Sequence, residues 1–304
     1  MSVEPLILYV PGLRPKPEPA IHRQELLRCL IEGVERIDAE AARQIRGSAR
    51  SFDVVGWTYD FYGEYRDIEL DRGGIEQVLK QRVASHKDIA EASTLKRRLV
   101  RWLYRAAERL PFLIPQVADE TMQLHLRDLR RYVTNESDIA DATRRLLKMP
   151  LRAAWASARP VLLIGHSMGS VIAYDTLWQL SRESADEVRV ALLTLGSPLG
   201  QRYIQQRLAG RAETGARRYP GNVRRWVNIA AVGEMTAIDM TVRNDFANMI
   251  ALGFTDDIRD FAVFNYFRQQ GMLNVHSEYG YLVNEVTATQ IRDWWRDAIR
   301  RSPT

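Results

Sequence analysis

Ser167 stands in the pentapeptide Gly165-His166-Ser167-Met168-Gly169, directly after the apolar run Val161 to Ile164. Downstream of Met168, the residues Val171, Ile172, Tyr174, Leu177 and Leu180 recur at helical spacing. The order is therefore strand, tight turn, helix. A serine at such a turn is held in strained backbone that only small neighbours accommodate. The strain lifts its hydroxyl clear of the sheet. The helix beneath offers free N–H groups and a partial positive charge to a developing oxyanion. A serine hydroxyl is a poor nucleophile until a base takes its proton, a task that suits histidine at neutral pH. Five histidines are present: His22, His86, His125, His166 and His276.

Gly-X-Ser-X-Gly between a strand and a helix, in the form GHSMG, resembles the nucleophile elbow of the α/β-hydrolase superfamily, specifically its lipase and esterase branch. The resemblance spans both ends of the chain but not residues 60 to 131. It implies a doubly wound, mostly parallel sheet and a triad in the chain order Ser, acid, His. Only His276, in the loop-like segment Asn274-Val275-His276-Ser277, lies beyond Ser167 and a candidate acid. His166, inside the elbow, is expected to point away from the Ser167 hydroxyl. The acid should follow the strand Arg225–Ala231, where Glu234 is the first carboxylate; Asp239 is the alternative acid. The family more often carries Asp there, after a strand like Trp226-Val227-Asn228, and the longer Glu requires the backbone to retreat slightly. In the family, the loop after the first central strand supplies one oxyanion N–H. Here that loop reads Pro11-Gly12-Leu13-Arg14, where the family often shows His-Gly, so Leu13 is the expected donor and Met168 the second. No metal or other cofactor is expected.

The elements that must position these residues read as follows. Leu6 to Val10 is a nearly all-apolar strand, the form of a strand buried on both faces. Residues 21 to 45 read as one long helix, Phe52 to Tyr59 as a second strand, and 137 to 158 as a crossover helix. Val188 to Leu195 and Arg225 to Ala231 are further strands, the latter the last clear one. A final helix covers about 287 to 300. Strand–helix alternation implies an α/β sheet with helices on both sides. One crossover helix joins neighbouring parallel strands, yet about a hundred residues separate Tyr59 from Val161. This divides the chain into a core, 1–59 and 132–304, and a helical lid or cap insertion, 60–131.

Within that insertion, Leu95 to Leu110 is a basic amphipathic stretch closed by the apolar Phe112-Leu113-Ile114. Lys96, Arg97, Arg98, Arg101, Arg105 and Arg109 share one side of it. Residues 95–114 are thus a candidate contact for an anionic membrane surface, set against a plain packed helix with a solvated arginine face. The chain of 304 residues carries a net charge of +5 with Arg well ahead of Lys, which suits anionic surfaces but is too modest to argue for nucleic acid. The single cysteine, Cys29, excludes a disulfide framework and two-cysteine metal motifs. No secretory leader pattern and no spanning apolar run is visible, so a cytoplasmic protein, peripheral to a membrane at most, is expected.

The expected function is a serine hydrolase that cleaves small-molecule carboxylic esters. Ser167 attacks, His276 moves the proton and Glu234 orients the histidine. Thioesterase, peptidase or acyltransferase chemistry would be served by the same three residues. The competing expectation is a catalytically inactive protein of the same fold, docking to an anionic membrane or partner through the basic insertion.

Overall fold

The computed structural model describes residues 4–94, 120–183, 189–234 and 239–301, with side chains described outside 120–126. Six strands form one sheet: β1 (Leu6–Val10), β2 (Phe52–Val54), β3 (Val161–His166), β4 (Val190–Leu195), β5 (Val223–Ala231) and β6 (Asp257–Val263). Their order is β2-β1-β3-β4-β5-β6, and every neighbouring pair is parallel. Parallel strands of this kind are buried on both faces, and alternation along each strand divides its side chains between two cores. Ile7, Tyr9, Ile164 and Leu193 join one core with Leu30 of the helix Pro19–Glu35 and Ile291 of the helix Glu285–Arg301. Leu8, Val10, Leu163 and Leu192 join the other with Leu147 of the helix Ile139–Ala156 and Ile172 of the helix Met168–Glu183. The protein is thus an α/β structure with a parallel central sheet flanked by helices.

The strand order places the candidate site. From β1 the chain moves to β2 on one side and later to β3 on the other. The crevice above the C-terminal ends of β1 and β3 is therefore a topological switch point, where open α/β sheets bind ligands. The loop Pro11–Arg14 leaves β1 there, and Ser167 leaves β3.

Several elements differ from their sequence reading. The helix expected over 21–45 is two helices, Pro19–Glu35 and Ala39–Gly47, because Asp38 caps the second by accepting from the Ala41 N–H at 3.2 Å. The strand expected over Phe52–Tyr59 stops at Val54. Its pairing with β1 runs only from Ile7↔Phe52 to Tyr9↔Val54, and Trp57 turns inward to donate its Nε1–H to the Pro11 carbonyl at 2.9 Å. The next residues, Thr58–Tyr62, are helical. β6 is an additional strand beyond Arg225–Ala231. It is an edge strand carrying Asp257, Arg259 and Asp260, so its apolar signal is diluted.

The described parts of 60–131 share the main cores. Ile75 and Val78 of the helix Glu69–Lys80 pack into the first, and Phe61 of the helix Thr58–Tyr62 and Leu129 of the helix Glu120–Val133 into the second. The basic run Leu95–Leu110 and the apolar residues after it lie outside the described residues. Among the described residues no helix is long and apolar enough to cross a membrane.

Candidate active site

Ser167 has φ +52°, a left-handed backbone unusual for a residue with a side chain. The turn is locked on every side. The Ser167 N–H donates to the Leu195 carbonyl at 2.9 Å, and its own carbonyl accepts from Ser170 N–H at 3.0 Å and Ser170 Oγ at 2.5 Å. The flanking glycines are required by close approach. A Cβ on Gly165 would lie 2.6 Å from Ser170 Cα, and one on Gly169 would overlap the Val10 carbonyl. The spacing Gly-X-Ser-X-Gly is therefore the condition under which β3, its helix and β1 fit together around a serine.

Ser167 lines a cavity of about 860 Å³ whose walls include Leu13, Glu234 and His276. His276 Nδ1 lies 2.7 Å from Glu234 Oε1. Glu234 is buried, in the turn just after β5. Its second oxygen accepts from Tyr281 Oη at 2.8 Å, and that hydroxyl accepts the Ala231 N–H at 2.8 Å. Burial, then the Glu234 charge, raise the Tyr281 pKa well above its ordinary value, so it stays a donor. The carboxylate approaches its histidine over Gly196, where a Cβ would lie 3.1 Å from His276 Nδ1 and 3.2 Å from Glu234 Oε2. Glu234 faces Nδ1 of the ring, and Nε2 is its second basic position.

The alternative acid, Asp239, is engaged elsewhere. Its Oδ1 accepts from the Thr241 N–H at 3.1 Å and from Thr241 Oγ1 at 2.8 Å. The structure brings Glu234, not Asp239, to the histidine because Glu234 follows the end of β5 immediately. Leu13 lies on the cavity wall and Met168 opens the helix after Ser167. Neither of these two N–H groups donates to a described residue. Their loop is anchored by the Trp57 bond to Pro11 and by the Arg14 N–H, which donates to Tyr62 Oη at 3.0 Å.

His166 is buried, and its Nε2 donates to the His276 carbonyl at 2.9 Å. Burial, then the neighbouring His276, push its pKa well below the ordinary value, so it is neutral. The other face of this region holds a buried carboxylate that the sequence reading passed over. Glu278 Oε1 lies 2.9 Å from Lys16 Nζ and 3.0 Å from His22 Nε2, while Tyr9 Oη donates to Oε2 at 3.2 Å. Burial by itself would raise the Glu278 pKa; Lys16 and then His22 outweigh it and hold the carboxyl well below its usual range. Tyr281 and Glu278 carried one faint signal in the sequence, their place within five residues of His276. Among the described residues no cluster of side chains is arranged to hold a metal ion.

A buried carboxylate on one nitrogen of a cavity-wall histidine, with a strained serine in the same cavity, defines a site able to carry out nucleophilic catalysis. Comparison with protein-family models, curated proteins and solved structures gives no match for the chain.

Proposed function

We propose that the chain is a serine hydrolase of the α/β-hydrolase type that cleaves carboxylic esters through an acyl-enzyme. The observation that carries this reading is the 2.7 Å contact between Glu234 and His276 on the wall of the cavity that Ser167 lines. The left-handed turn at Ser167 and the switch-point crevice above β1 and β3 support it. In this reading His276 Nε2 takes the Ser167 proton as Oγ attacks the ester carbonyl carbon. Glu234 holds the ring orientation and offsets the imidazolium charge without itself taking the proton. The carbonyl oxygen, now negative, accepts from the N–H groups of Leu13 and Met168, which donate to no described residue. Collapse returns the proton from Nε2 to the leaving alkoxide. Water, activated by the same imidazole, then hydrolyses the acyl-serine.

The test is labelling with a fluorophosphonate probe alongside hydrolysis of p-nitrophenyl acetate. Wild type should be labelled at Ser167, whereas Ser167→Ala should keep its fold, lose labelling, and lose about three to six orders of magnitude in hydrolysis. A wild-type protein that is folded yet unlabelled and inert would overturn the hydrolase reading. It would favour a binding protein on this scaffold.

A further inference from the structure

Glu278 opens the short helix Glu278–Leu282, two residues beyond His276. A buried carboxylate loses its hydration and is costly unless opposite charge and hydrogen bonds surround it, and a packed apolar residue often stabilises a core as well. Nothing about the two apolar cores calls for an ion here. What distinguishes Glu278 is where its partners come from. Lys16, at 2.9 Å from Oε1, stands three residues after Leu13 in the loop that follows β1. His166, the residue before Ser167, is linked to this group indirectly: its Nε2–H holds the His276 carbonyl at 2.9 Å, while its unprotonated Nδ1, 3.8 Å from Oε2, makes no bond to Glu278. Tyr9 is on β1, and His22 is on the helix Pro19–Glu35. A carboxylate only accepts, so His22 Nε2 must present its proton to Glu278. One carboxylate therefore joins the oxyanion loop to the histidine loop against two rigid elements, and the His166 bond to the His276 carbonyl ties the serine turn to the histidine loop.

We propose that Glu278 is a positioning residue for the reaction. Through Lys16 and its place two residues beyond His276, whose carbonyl His166 holds, it keeps the three loops that carry Leu13, Ser167 and His276 in one frame. This rests on the hydrolase reading above. Displacement of a reacting group by about 1 Å can lower a rate about a hundredfold. Loss of this frame should therefore appear in turnover rather than in substrate capture.

The experiment measures kcat and KM for p-nitrophenyl acetate, the rate of fluorophosphonate labelling, and thermal stability. It uses wild type, Glu278→Gln, Lys16→Met and the double variant. Glu278→Gln should lower kcat and the labelling rate by about ten- to a hundredfold, with KM changed by less than about threefold. It should also lower the melting temperature, since the half-buried Lys16 loses its counter-charge. The double variant removes that stranded cation and should regain melting temperature without regaining kcat. A merely structural role predicts the opposite, with kcat returning together with stability, and that result would overturn the proposal. So would a Glu278→Gln variant that keeps more than half of the wild-type kcat. If Glu278→Gln fails to fold, Lys16→Met decides alone, because His22 and Tyr9 still hold the carboxylate. A fall in kcat of about threefold or more at constant KM supports the proposal, and an unchanged kcat overturns it. Failure of wild type to be labelled at all is a separate outcome that overturns the hydrolase reading itself.

Discussion

At the scale of single residues, Glu234 has one hydrogen-bonding oxygen for His276 and one for Tyr281, and both are occupied. Glu234→Gln would keep the volume but present an amide to one of these partners and remove the charge that offsets the imidazolium. Turnover of a p-nitrophenyl ester should fall by about two to four orders of magnitude. Asp239→Asn should cost far less, because Asp239 serves Thr241 rather than the histidine. Steady-state kinetics of the two variants decide the matter, and a larger loss in Asp239→Asn would reverse the assignment. Tyr281 belongs to the same unit. Its hydroxyl takes the Ala231 N–H from the end of β5 and passes a donor to Glu234, so the acid is oriented by the strand that delivers it.

At the scale of elements, the site depends on how closely β1, β3 and the helix Met168–Glu183 approach. Val10 pairs in register with Gly165, and the Val10 carbonyl lies against the Cα of Gly169. An added methyl at Gly169 has only backbone to push against, so the helix start must move away from β1. Gly169→Ala should destabilise the protein by about 1–3 kcal/mol, the range for overpacking a tight interface. It should also lower esterase turnover by more than Ala at an exposed helix position does, because Met168 and the Leu13 loop separate. Denaturant unfolding combined with the ester assay checks this. A variant with full stability and turnover would mean that the helix start relaxes without consequence for the site.

At the scale of the whole molecule, the second core contains a charge under strain. Asp175, on the helix Met168–Glu183, is buried and accepts from the Ala209 N–H at 2.8 Å and from Tyr132 Oη at 3.2 Å. Burial raises its pKa to about 6 against an ordinary 3.8, with the Ala209 bond and Arg144 opposing only in part. The folded protein therefore binds this proton more tightly than the unfolded chain. Its contribution to stability is fully present below about pH 4 and is lost as pH rises through about 6. Asp175→Asn keeps an acceptor for Ala209 and does not titrate. Relative to wild type, the variant should gain about 2 kcal/mol of unfolding free energy between pH 4 and pH 7.5. A difference that stays constant over that interval would show that Asp175 is not held against its charge.

The sequence by itself determined what local physics encodes. Apolar runs such as Leu6–Val10 and Val161–Ile164 are strands because only a doubly buried strand tolerates so continuous an apolar stretch. The glycines around Ser167 mark a turn that no bulkier residue permits. Residue type and chain order single out Ser167, Glu234 and His276 as candidates, but neither says which groups meet. The strand Phe52–Val54 is shorter than its pattern, because the chain beyond Val55 turns inward, where Trp57 bonds the Pro11 carbonyl. The polar β6 is a strand because β5 supplies its hydrogen bonds. Likewise, Glu234 rather than Asp239 reaches His276 because the turn after β5 and the hydroxyl of Tyr281 aim it there. The group of Glu278, Lys16, His22, Tyr9 and His166 joins positions up to 269 residues apart, so no window of sequence contains it. Such long-range pairings are set by how the sheet stacks its loops at one end. Only the tertiary structure decided which charges share that end.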